Sequence, residues 1–128
     1  MSDDRYQEGL EMRRSVLGAD HVARSEANET DFDTDYQRYI TECAWGAVWT
    51  RPGLEKKTRH MVTIAMLASL GKHDELALHI RDTRNTGVKP EEVREVLLQV
   101  AVYAGVPAAN SAFAVAKRVY QEMETDSK

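Results

Sequence analysis

The sequence predicts an all-α fold, on three observations. Apolar residues recur at three- and four-residue spacing through most of the 128 residues. No stretch alternates apolar and polar residues for long enough to make a useful strand. Glycine and proline punctuate the periodic segments at Gly18, Pro52 and Gly53, Gly71, Gly87, Pro90, Gly105 and Pro107. A chain of this length can bury one real core and is short for two, so a single domain over 1–128 is expected.

About six helices are expected in order. Asp4 to Leu17 carries a weak stripe of Tyr6, Leu10, Arg13 and Leu17 and stops at Gly18. Ala19 to Thr34 is polar and reads as a long ordered loop holding His21, Val22, Arg24 and Ser25. Asp33 or Thr34 then caps a helix running to about Thr50, with Tyr36, Tyr39, Ile40, Cys43, Ala47 and Val48 in helical register. Leu54 to Leu70 opens on charge and continues as MVTIAMLASL, apolar on nearly every face. Such a helix needs burial all round, so subunit association is expected to cover part of it. Gly71 ends it, and Asp74 to Thr86 forms the fourth helix, closed by Gly87 as a left-handed C-cap. Pro90 suits the first position of the fifth, and Glu91 and Glu92 suit its dipole, although Lys89 is a poor N-cap residue. Ala108 to Glu124 is the sixth, its early alanines allowing close packing.

Composition excludes several roles. The net charge is −4 and no run of Lys or Arg is dense enough to neutralise a phosphate backbone, so no nucleic-acid partner is expected. Cys43 is the only cysteine, which rules out an internal disulfide, a CxxC redox pair and a cysteine-rich zinc site and fits a reducing cytoplasm. MSDDRYQEGLEMRR at the N-terminus has acids and no apolar core, so no signal peptide is expected, and no apolar run is long enough to span a bilayer.

Glu75 and His79 stand four apart, so on a helix they point the same way and can share a hydrogen bond. The carboxylate would orient the imidazole and fix its tautomer, leaving the other ring nitrogen to move a proton near neutral pH. The same spacing also describes an inconsequential pair on a solvated face. His73 and His79 are not one turn apart and no HExxH or paired Glu-x-x-His pattern exists, so no metal site is expected. His60, at the start of the apolar helix, reads as a partly buried histidine with its polar atoms satisfied. Arg59, Arg81 and Arg84 flank the pair in sequence, and guanidinium groups hold dicarboxylates by paired hydrogen bonds when they converge on one pocket. Trp45 and Trp49, one turn apart, suit a pocket wall, a core or a subunit interface.

AWGAVWTRPGL at 44 to 54, the arginine and apolar helix at 59 to 70, DELALHIR at 74 to 81 and YAGVPAANSAF at 103 to 113 together resemble the carboxymuconolactone decarboxylase family, within the alkylhydroperoxidase D-like superfamily. RYQEGLEMRRSVLGADHVARS at 5 to 25 looks like the opening of the decarboxylases themselves, so the likeness runs nearly end to end. Peroxidases of the superfamily carry a CxxC followed three residues later by a histidine. Here those cysteine positions are Lys72 and Glu75 while His79 remains, so disulfide-cycling chemistry is excluded.

The resemblance implies an alkylhydroperoxidase D-like helical bundle assembled as a homo-oligomer, a hexamer of three dimers. It implies decarboxylation of 4-carboxymuconolactone to the enol-lactone of 3-oxoadipate, a step of bacterial protocatechuate breakdown. No cofactor is needed, because electrons released by C–C cleavage flow into the conjugated lactone carbonyl. On this reading His79 protonates the resulting carbanion, Glu75 orients it, and Arg59 or Arg81 anchors the acetate arm. Trp45 and Trp49 offer an apolar wall, and His21 and Arg24 in the long loop close over the site. The other class of reading is a catalytically silent helical oligomer that binds an acidic metabolite or a protein partner.

Overall fold

The structure, a computed structural model, describes residues 2–127. It comprises α1 Ser2–Leu17, α2 Ala19–Ala27, α3 Thr34–Ile40 running into a π-helical segment Thr41–Trp49, α4 Lys56–Ser69, α5 His73–Arg81, α6 Thr83–Thr86, α7 Pro90–Tyr103 and α8 Val106–Asp126. No strand occurs among the described residues, as the all-α expectation requires. None of the described helices is long and apolar enough to cross a membrane. The chain gathers into two compact units, Met1–Lys56 and Lys57–Lys128.

In the N-terminal unit α1 packs on the π-helical segment. The crossing is close because two glycines meet there: a Cβ on Gly9 would run into the Thr41 carbonyl and the Gly46 nitrogen, and one on Gly46 into the Arg5 carbonyl. The expected α1 stripe is present, with Leu10, Arg13 and Leu17 buried beside a fully buried Val16. Arg13 offers one terminal nitrogen to Thr41 Oγ1 and the other to Gln37 Oε1, both at 3.3 Å, and burial lowers its pKa. Arg38 closes the outside, paired with Glu42 at 2.7 Å and Asp3 at 3.0 Å and lying over the Tyr6 ring.

Two expectations fail in this unit. The loop expected over Ala19 to Thr34 is a helix to Ala27, restarted after Gly18 at φ 92° and held by one buried apolar residue, Val22. A single apolar position shows no periodicity, so spacing could not reveal it. Asp33 does not cap α3. Its carboxylate accepts the Thr30 N–H at 2.8 Å, and the Thr34 hydroxyl donates to the Thr30 carbonyl at 2.8 Å, which ties the turn before the helix instead.

The C-terminal unit is built round one apolar cluster. Ile64 and Ala68 of α4, Leu76 and Ile80 of α5, Val93, Leu97 and Val100 of α7, and Ala112, Val115, Ala116 and Val119 of α8 form it. The alanines on α8 let α5 and α7 approach it closely. The helix expected over Asp74 to Thr86 is broken at Asp82 into α5 and the single turn α6, which Gly87 closes at φ 84°. With α2, this raises the expected six helices to eight α-helices among the described residues. Lys89 leads α7 with no side-chain cap of its own, and Glu92 reaches back to accept the Lys89 N–H at 2.9 Å. Glu92 also pairs with Lys57 at 3.0 Å, tying α7 to the start of α4.

Candidate active site

His60 falls on the buried stripe of α4, one turn before Ile64 and two before Ala68, and is 0 % exposed. A buried imidazole must find partners for its ring nitrogens. Nδ1 lies 2.6 Å from Thr86 Oγ1, and Nε2 lies 3.1 Å from His79 Nδ1. The two rings meet edge to face, with centroids 5.2 Å apart and planes at 73°. Burial, and then the neighbouring His79, push the His60 pKa down to about 4, so its ring is neutral at ordinary pH. His79 is half-buried in the last turn of α5.

Three elements therefore meet at His60: α4 carries it, α5 brings His79 to one ring nitrogen, and the turn α6 brings Thr86 to the other. The pairing differs from the one expected. Glu75 is exposed in the first turn of α5, where its charge complements the helix dipole, and the Nδ1 of His79 is taken by His60. Sequence reading assigned His60 to structure and overlooked Thr86. Its signal was a histidine on a core stripe, which obliges buried partners elsewhere in the chain.

The arginines diverge. Arg81 turns its two terminal nitrogens to Glu122 at 2.7 Å and Asp126 at 3.1 Å on α8, so its charge is already matched within the chain. Arg59 is half-buried on α4, next in sequence to His60. Arg84 is exposed, and its charge acts on Asp82. Asp82 is 2 % exposed with Oδ2 lacking a hydrogen-bond partner. Burial raises its pKa to about 7, against the lowering influence of Arg84 and Arg81.

In the N-terminal unit Trp45 and Trp49 stack with centroids 4.9 Å apart, Trp45 buried and Trp49 half-buried. His21 and Arg24 lie on α2. Burial, then Arg24 and Arg13, lower the His21 pKa. Cys43 is a free, exposed thiol. Among the described residues no three His, Cys, Asp or Glu side chains gather as metal ligands would.

His79 is thus a half-buried imidazole seated through Nδ1 against a neutral imidazole, with apolar Leu76 and Ile80 on its own helix, and imidazole is the side chain that gains and loses a proton near neutral pH.

Residues 34–118 match the carboxymuconolactone decarboxylase family. The chain is 48 % identical over 124 residues to the 4-carboxymuconolactone decarboxylase of Acinetobacter baylyi, covering 96 % of this chain and 92 % of that one. It is 39 % identical over 118 residues to the nitrosuccinic acid decarboxylase of Metarhizium robertsii, covering 92 % and 82 % respectively.

Proposed function

The chain belongs to the carboxymuconolactone decarboxylase family, and from that premise we propose that it converts 4-carboxymuconolactone to 3-oxoadipate enol-lactone and carbon dioxide. The observation that carries this reading to particular atoms is the His60 to His79 contact, which seats His79 through Nδ1 against a buried neutral ring.

The substrate supplies its own electron sink. The bond from the ring carbon to the departing carboxylate breaks, carbon dioxide leaves, and the electron pair passes through the conjugated double bond onto the lactone carbonyl. A C–H bond then forms as cationic His79 gives up a proton, so charge and atoms balance without a cofactor. The protein's share is to hold the second carboxylate, stabilise the carbonyl oxygen as it gains charge, and deliver that proton. Arg59, half-buried on α4 and next in sequence to His60, is the proposed anchor for the acetate arm.

The assembly we propose is a homo-oligomer, a hexamer of three dimers, in a reducing cytoplasm. Val62 and Met66 on α4 and Leu70 just after it form an exposed apolar stripe, with Leu70 70 % and Tyr103 of α7 85 % exposed. A groove of about 440 Å³ between these helices is lined by Met61, Val62, Ala65, Val96, Val100 and Tyr103 among others. A second copy of the chain is the occupant this surface suits.

The test follows loss of the conjugated lactone in the ultraviolet together with carbon dioxide release, with nitrosuccinic acid offered in parallel because a relative is named for it. Turnover of the lactone supports the proposal. Turnover of nitrosuccinic acid alone reassigns the substrate, and binding of either acid without conversion favours a metabolite-binding oligomer.

A further inference from the structure

We propose that the groove between α7 and α8 binds a small aromatic carboxylate, at a site separate from His60 and His79. Both helices belong to the C-terminal unit, and the groove between them holds about 300 Å³. Its lining comes from α7 and α8 alone, without Arg59, His60, His79 or Thr86, so the proposal stands independently of the decarboxylase reading.

The floor of the groove is apolar. Val93 and Leu97, one turn apart on α7, form one side, and Phe113, Ala116 and Tyr120 form the other at helical spacing on α8. The two rings stand one turn before and one turn after Ala116, whose single methyl group leaves the space open. The Tyr120 hydroxyl is itself buried, so the ring is what the groove presents. Burial holds the pKa of this phenol above its ordinary value, and it adds no negative charge.

Arg94 and Lys117 supply the charge, one from each helix. Both are exposed, and among the described residues neither has a carboxylate at ion-pair distance, whereas Lys57, Arg81 and Arg118 of the same unit are paired. Glu91, exposed at the start of α7, has a charge that reaches Tyr120, and the two cations outnumber it. A guanidinium takes a carboxylate by paired hydrogen bonds, an ammonium adds a point charge, and rings with an aliphatic floor take an aromatic body. The volume is at the low end for small-molecule sites and suits one ring with a short arm. The groove on α4 and α7 makes the contrast: its lining holds no charged residue, which suits a second copy of the chain. Covering Arg94 and Lys117 with an apolar face would instead strip two cations of water and give them no partner.

The test is a titration of the 15N-labelled protein with benzoate, followed by its amide shifts. Benzyl alcohol serves as the ring without the charge and acetate as the charge without the ring. The expected result is saturable shifts on α7 and α8 with a Kd of about 1 mM, and a response to either control weaker by about tenfold or more. Arg94→Gln with Lys117→Gln changes two exposed side chains, so the double variant should fold as the wild type does and bind benzoate about tenfold more weakly or worse. Absence of saturable shifts with benzoate would overturn the proposal, as would equal binding by the double variant or an equal response to acetate or benzyl alcohol. Shifts that map to α4 and α5 would overturn it by placing the ligand at His60 and His79. A changed sedimentation coefficient in the double variant would do so by making the groove a subunit contact.

Discussion

His60 Nε2 lies 3.1 Å from His79 Nδ1, so a wholly buried neutral imidazole contacts the half-buried one. That contact gives His79 a partner on another helix, α4, where the spacing along its own helix had pointed to Glu75.

Arg59 and Arg81 are expected to separate in kinetics. Arg59→Lys replaces a two-point contact by a point charge and should raise KM about tenfold. Arg81→Ala should leave KM and kcat within about twofold and cost under about 1 kcal/mol, since its partners on α8 are surface carboxylates. Steady-state kinetics of the two variants checks the pair, and Glu75→Gln should resemble Arg81→Ala in leaving kcat near the wild-type value.

Asp82 and His60 bias stability in opposite directions with pH. Asp82 ordinarily titrates at 3.8 and in the fold at about 7. Below the lower value both states hold the proton. Between the two the unfolded chain ionises while the fold does not, so stability falls as pH rises and the loss is complete above about 7. His60 is the mirror case, ordinarily near 6.5 and in the fold about 4, so it removes stability as pH falls through that window. Asp82→Asn should therefore gain on the wild type as pH rises from 4 to 7 and no further beyond it, by a few kcal/mol at most, at about 1.4 kcal/mol per pH unit. Denaturation curves at several pH values check this, and an advantage independent of pH would mean that Asp82 ionises freely in the fold.

Gly46→Ala should destabilise by about 1–3 kcal/mol, because the new Cβ meets the backbone carbonyl of Arg5 and neither helix can yield without moving the other. The denaturant midpoint should fall at an unchanged m-value. An unchanged midpoint would mean that α1 and the π-helical segment are not packed so closely.

Met66→Glu together with Val102→Glu should shift the protein to smaller species in sedimentation, because charge then replaces apolar surface on α4 and α7. An unchanged sedimentation coefficient would place the subunit contact elsewhere.

Helices with a full apolar stripe were legible in sequence: α1, α4, α7 and α8 lie within about two residues of their expected bounds. The α2 helix was hidden because Val22 alone holds it, and the break at Asp82 was hidden because Thr83 and Thr86 continue a helical composition. The placement of His79 on a helix was legible from its neighbours. Its partner was not, since the local spacing to Glu75 is visible in the chain while the approach of α4 to α5 is a tertiary fact. Arg81 misled for a related reason: its carboxylate partners lie about forty residues away, on α8.

The most direct measurement is turnover of 4-carboxymuconolactone by the wild type and by His79→Gln, with carbon dioxide release and oligomeric state followed for both. The expected result is one carbon dioxide per lactone from the wild type and a rate lower by about two orders of magnitude in the variant, with the oligomer unchanged. Near-normal turnover by His79→Gln would contradict His79 as the proton donor, and a wild type inert at high protein concentration would contradict the decarboxylase itself.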